Sequence, residues 1–445
     1  MVFLIKAAQL IFSLSILVIV HEFGHFIFSK AFKCKVEKFY LFFDPWFALF
    51  KFNRGETEYG IGWLPLGGYV KISGMIDESM DKEQMKLPPE PWEFRSKPSW
   101  QRLIIMIGGV LFNLILAIVL YSAVLFVWGD QYLPTKNVKF GIAVSETGKE
   151  MGLRSGDKII SVDGKEVEDF NKIVSVLILN GAKTIEVNRN EETVIVPIKN
   201  EIIPKLLKDN KLVIALRIPF ACKIIGFGKE SPARDAGLEI GDEIMKVNNA
   251  GFQFYDQFAD TLAMSKGKTI SVVIKRKEIE KTITVNIGST GVLGIQREYN
   301  IDGIFEFKTI NYGFFESIPA GVSKGYYAVG NYLKQFKLLF APETKAYESL
   351  GGFIAIGNIF PSIWDWESFW NLTAFLSIIL AVMNILPIPA LDGGHVLFLL
   401  FEIVTGRKPS DKFLEYAQIV GMVILFSLLI YANGNDVWKY FNGKF

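Results

Sequence analysis

Four stretches of the chain carry no charged residue. The first is Ala7 to Val20, which stays apolar through Phe26 to Ser29 after an interruption by His21, Glu22 and His25. The others are Leu103 to Gly129, Phe369 to Leu391 and Tyr416 to Ala432. Each is long enough, or nearly so, for a helix across a hydrocarbon core that takes about 20 residues. The pattern predicts a multi-pass α-helical membrane protein with about four transmembrane helices. The first stretch reads as a retained span rather than a cleaved signal peptide, because no small-residue cleavage site follows it and three ionisable groups lie near its end.

Between the second and third spans the pattern changes to short alternating runs, and one run repeats. Gly152-Leu153-Arg154-Ser155-Gly156-Asp157-Lys158-Ile159 aligns without gaps to Gly237-Leu238-Glu239-Ile240-Gly241-Asp242-Glu243-Ile244. Each copy precedes a helical-looking stretch and then β-rich alternation, as in Thr184 to Val196 and Thr269 to Ile274. Two copies of one small β/α domain are predicted. They resemble PDZ domains of the bacterial, circularly permuted kind, which bind an extended chain end at a sheet edge. Phe314 to Phe340, rich in aromatics, reads as an amphipathic helix at the membrane interface. Gly60 to Gly74, with Pro65 and the pair Gly67-Gly68, reads as a membrane-associated β-hairpin or loop, whose backbone would need protein or water around it at that depth.

The boundaries so predicted are a first transmembrane helix over 1–35, a loop with membrane-associated β-structure over 36–100, and a second transmembrane helix over 101–129. PDZ-like domains follow over 130–210 and 211–300, then the interfacial region over 301–366, a third span over 367–405 and a fourth over 411–435. Lys30, Lys33, Lys35 and Lys38, then Arg95, Lys97 and Arg102, then Arg407, Lys408 and Lys412 crowd the ends of the spans. By the excess of positive charge those loops are cytoplasmic, and the PDZ-like insertion and both termini face the other side.

Composition agrees with a membrane protein. Half the residues are hydrophobic and only 21% are charged, which excludes disorder. A net charge of +2 without a cationic block gives no reason to expect nucleic acid as a partner. The two cysteines, Cys34 and Cys222, lie far apart and form no paired spacing, which excludes a disulfide-built scaffold and a cysteine-rich zinc site.

The chain has three histidines. His21 and His25, at i and i+4, share one helix face and can share one zinc ion, while Glu22 beside them can exchange protons with water held by that ion. Ionisable groups at this depth in a span usually mark function. Spans one and three must run in the same direction, so Asp392 arrives near the same cytoplasmic depth as a third ligand; His395 is an alternative. Two histidines and a carboxylate, with one coordination position left for water, make a catalytic rather than a structural zinc set. Pro387 and Pro389 break the third span and would let Asp392 turn toward the metal. Asn384 suits either an oxyanion contact or a hydrogen bond between helices. Gly108, Gly109 and Asn113 in span two read as close helix packing.

Taken together, His21-Glu22-Phe23-Gly24-His25, Asn384-x-x-Pro387-x-Pro389-x-Leu391-Asp392-Gly393-Gly394 and the tandem PDZ-like domains resemble the site-2 protease family of intramembrane metalloproteases. The bacterial regulator-of-sigma-E type, found in the inner membrane, is the nearest group. The resemblance implies that His21, His25 and Asp392 bind zinc, that Glu22 activates water, and that Asn384 assists substrate or transition-state binding. It also implies that the Gly67-Gly68 region lies beside the substrate, and that the PDZ-like pair admits substrates already trimmed outside the membrane. Single-pass membrane proteins, anti-sigma factors or signal-peptide remnants, would be cleaved near the cytoplasmic side. The rival readings are a metal transporter, and a scaffold whose PDZ-like pair recruits partners around a structural metal. One departure from the family pattern is Gly109-Val110-Leu111-Phe112-Asn113, where Gly-Pro-x-x-Asn is common.

Overall fold

The computed structural model describes residues 2–75, 87–208, 213–298 and 303–441. The domain boundaries expected at 210/211 and 300/301 lie outside the described residues. Contacts divide the chain into two units: residues 1–130, 310–340 and 346–445, and residues 131–309 with 341–345.

Among the described residues, four helices are long and apolar enough to cross a membrane, and all lie in the first unit. They are α1 (Val2–Ala31), α2 (Ser99–Val127), α5 (Trp366–Ile385) and α7 (Asp411–Phe441). Three further α-helices of this unit lie among them in the described sequence: α3 (Phe314–Leu339), α4 (Phe353–Ile359) and α6 (Asp392–Thr405). Small residues set the central crossing. A methyl group added at Gly24 would lie 2.3 Å from the Gly108 carbonyl oxygen, and one at Gly108 would lie 2.6 Å from that of Gly24. The backbones of α1 and α2 therefore touch, as small residues allow in apolar surroundings. Polar groups join α5 to this pair: Ser377 Oγ donates to the Asn113 carbonyl at 2.7 Å, and Thr373 Oγ1 donates to Ser13 Oγ at 3.0 Å. Helix α3 lays Ser317, Gly321 and Gly325 against the bundle and leaves Phe315, Tyr326 and Tyr327 exposed.

Where the apolar run from Phe369 predicts one span as far as Leu391, α5 stops at Ile385. Leu386 turns extended, two prolines follow, and Ala390 takes a φ of +80°. Pro387 and Pro389 lack the N–H that a continuing helix needs. The chain restarts as α6, and Asp392 is its first residue.

The β-structure of this unit is larger than the Gly60–Gly74 stretch suggests. Strands β1 (Val36–Arg54) and β2 (Thr57–Ile72) fold back on each other, so that 36–41 pair with 68–72 and, on their other side, are matched to 58–61. Residues 68–72 thus form an outer edge among the described pairings. At the far tip Trp46, 91% exposed, stacks on Trp63, and Trp63 Nε1 donates to the Pro45 carbonyl.

The second unit contains one architecture twice. A sheet of 158–162, 184–189 and 192–197 with a helix over 173–179 is matched by strands 243–247, 269–276 and 279–286 with a helix over 255–264. Each copy closes on its own apolar cluster. The repeated sequence forms the same clamp in both. Arg189 binds Asp157 through Nε and Nη2 at 2.8 and 2.7 Å and also donates to the Gly152 carbonyl. Arg276 does the same to Asp242, at 2.7 and 2.8 Å, and to the Gly237 carbonyl. Gly152 and Gly237 have φ of +93° and +91°, which only glycine adopts readily.

Because Asp157 is buried, removing its partner leaves a charge unpaired. Arg189→Ala is expected to cost the first repeat about 3–5 kcal/mol, read as faster amide exchange in strands 158–162 and 184–189 of the full-length protein. Arg276→Ala should spare those amides and expose 269–276 instead. Unchanged exchange in both variants would remove the clamp from the account of stability.

Candidate metal centre

Three side chains from two elements meet inside the first unit. His21 and His25 project from one face of α1, and Asp392 reaches them from the first turn of α6. His21 Nε2 and His25 Nε2 lie 3.1 and 3.2 Å from Asp392 Oδ2, and 3.3 Å from each other. These are the only His, Cys, Asp or Glu side chains among the described residues grouped closely enough to hold a metal ion.

The spacing fits one ion. Ligand atoms about 2.0–2.1 Å from a tetrahedral zinc stand about 3.3 Å apart. The buried Asp392 Oδ2 has no hydrogen-bond partner of its own, a costly state that a cation at this position would relieve. Two imidazole nitrogens and one carboxylate oxygen are also the donor set that zinc favours, with one position left open. His395, the other third-ligand candidate, stands outside this group; it lines the neighbouring cavity.

Backbone geometry sets the triangle. His25 Nδ1 lies 2.8 Å from the Ile105 carbonyl of α2. Donation to that oxygen leaves the Nε2 lone pair free for a metal. Gly109 lies against both rings, and Asn113, fully buried, places its amide 3.2 Å from His21 Nδ1. Neither Ile105 nor Asn113 emerges from the sequence as a site residue. A carbonyl has no sequence signature, whereas an amide in an uncharged span is a legible signal that packing alone also explains.

Two cavities flank the triangle. One, of about 670 Å³, is lined by His21, Glu22, His25 and Asp392 and by Lys38, Asp44, Tyr69 and Lys71. Burial, reinforced by the hydrogen bond from its hydroxyl to Asp44, pushes the Tyr69 phenol above the usual tyrosine range, so it stands there as a neutral donor. The other cavity, of about 310 Å³, is lined by apolar side chains such as Leu14, Val18, Phe42 and Leu380, and again by Glu22 and Asp392. Glu22 therefore lines the larger cavity, beside Lys38, Asp44 and Lys71, and the smaller slot, beside Leu14, Val18, Phe42 and Leu380.

The remaining sequence candidates reach the slot. Asn384 lines it, with Nδ2 3.3 Å from His21 Nε2. Gly67 and Gly68 line it as well, and a methyl group at Gly68 would fall 2.6 Å from the Tyr40 carbonyl oxygen and from Val18 Cγ1. Beside them on the outer edge, the Val70 N–H faces the Glu22 carboxylate.

Residues 9–428 match the family model described as peptidase family M50. Among curated relatives, a Haemophilus influenzae protein named regulator of sigma E protease is 28% identical, over 98% of this chain and 99% of its own. A Yersinia pestis protein named protease RseP is 28% identical over 96% of this chain and 97% of its own. A Vibrio cholerae protein whose name contains the words zinc metalloprotease is also 28% identical, over 96% and 97%.

Proposed function

Given that the chain belongs to peptidase family M50, the site-2 proteases, and is a zinc metalloprotease, we propose that it hydrolyses peptide bonds within or just below the lipid bilayer. Its substrates are single-pass transmembrane proteins, anti-sigma factors or signal-peptide remnants among them. One observation carries this reading: the His21–His25–Asp392 triangle lies between a cavity that Lys38, Asp44 and Lys71 also line and a second one that Leu14, Val18, Phe42 and Leu380 line. Hydrolysing a membrane segment needs water on one side and an apolar chain on the other.

His21, His25 and Asp392 hold the zinc. When bound, zinc supplies a Lewis acid that polarises the scissile carbonyl and makes water more acidic. Glu22 accepts the proton of the attacking water and passes it to the leaving amine. Asn384 donates its amide N–H to the substrate carbonyl as negative charge develops on that oxygen. A helical substrate keeps its carbonyls in its own hydrogen bonds and must unwind first. Added as a strand to the outer edge at 68–72, it exposes them beside Glu22.

The PDZ-like pair, over 130–210 and 211–300, sits outside the bacterial inner membrane with both termini and restricts entry to trimmed substrates. Chain termini of those substrates are candidate ligands for it. The positive charges at the span ends support this orientation, in which the metal centre is nearer the cytoplasm.

The test is cleavage of a single-pass reporter by the full-length protein in proteoliposomes. Chelation should abolish it, and added zinc should restore it. Zinc flux without any cleavage would favour a transporter and overturn the proposal.

A further inference from the structure

One orphaned atom at the metal centre is not explained by helix packing. Asn113 is fully buried, and its Oδ1 has no hydrogen-bond partner, while its Nδ2 stands 3.2 Å from His21 Nδ1. Donation from Nδ2 to Nδ1 would put the ring proton on Nε2, which faces Asp392 Oδ2 at 3.1 Å. A protonated Nε2 cannot bind a metal. A half-turn of the amide reverses the polarity: Oδ1 accepts from Nδ1–H and the Nε2 lone pair is released, while Nδ2 takes the place where Oδ1 has no partner.

We propose that Asn113 is a positioning residue, whose side-chain oxygen accepts the His21 Nδ1 proton and so fixes this histidine in the tautomer that binds zinc. The inference rests on the assignment of His21 as a ligand. His25 has the equivalent partner in the Ile105 carbonyl. Both supports come from α2 and stand two turns apart, so one helix orients both rings. The main-chain carbonyl of Asn113 accepts from Ser377, a contact between helices that does not involve the side-chain amide.

Zinc affinity of the full-length protein in detergent, measured by chelator competition, tests this. Asn113→Leu removes the acceptor while keeping a side chain of similar size, and should weaken binding by about 10–100-fold, the usual effect of losing such a partner. Asn113→Asp keeps an acceptor toward Nδ1 and should bind at least as tightly as the native chain. Ser377→Ala, which disturbs the helix contact but not the amide, should leave affinity unchanged. Native affinity in Asn113→Leu, or a loss in Asn113→Asp or Ser377→Ala as large as that in Asn113→Leu, would overturn the inference and leave the metal site standing. Failure of the native chain to bind one equivalent of zinc would sink the ligand assignment itself, and the inference with it.

Discussion

Glu22→Gln should keep the zinc and lose about 10²–10⁴-fold in the rate of peptide-bond cleavage, the range over which a positioned acid–base group contributes. The residue lines both cavities, yet it is not part of the His21–His25–Asp392 triangle. Glutamine keeps the shape and loses the ability to take a proton. The two readouts therefore separate: metal content should stay at one zinc per chain while turnover of a membrane-embedded reporter collapses. In cells, the same substitution should cause uncut transmembrane fragments to accumulate in the membrane proteome, which would identify the substrates. Loss of zinc in this variant would make Glu22 a ligand, and near-native turnover would remove it from the chemistry altogether.

What could be read from sequence follows the range of the interactions involved. His21 and His25 are legible because a helix of 3.6 residues per turn fixes their common face locally. The break before Asp392 is legible because Pro387 and Pro389 cannot continue α5. The two copies in the second unit are legible through Gly152, Asp157, Gly237 and Asp242, but the arginines that clamp them are not. Arg189 and Arg276 lie 32 and 34 residues beyond their aspartates, so an ungapped alignment cannot carry them. The folded sheet of 36–72 escapes for a related reason: its alternation gives strands but not which segments pair. The Ile105 carbonyl leaves no trace in the sequence, because any residue would supply it.

Gly109 is the position where sequence and structure differ most in what they predict. On helix propensity alone Gly109→Ala should stabilise α2 by about 1 kcal/mol. Structure reverses the sign. The added methyl carbon would lie 2.4 Å from His25 Nε2 and 2.6 Å from His21 Cε1, closer than atoms can pack. Withdrawing α2 from α1 would open the close Gly24–Gly108 packing and carry Ile105 and Asn113 of α2 away from the rings they support. Short of that the imidazoles must turn, and any turn moves the Nε2 atoms away from Asp392 Oδ2. We expect Gly109→Ala to lower zinc affinity by at least the 10–100-fold that follows loss of a supporting hydrogen bond, and to lower cleavage in proportion when zinc is limiting. Gly330→Ala, on α3, has no atom within 4 Å of the new carbon and should be neutral or mildly stabilising, with full activity. Native zinc affinity in the Gly109 variant would mean that the helices part more easily than their contact implies, and that the triangle is not held by the α1–α2 crossing.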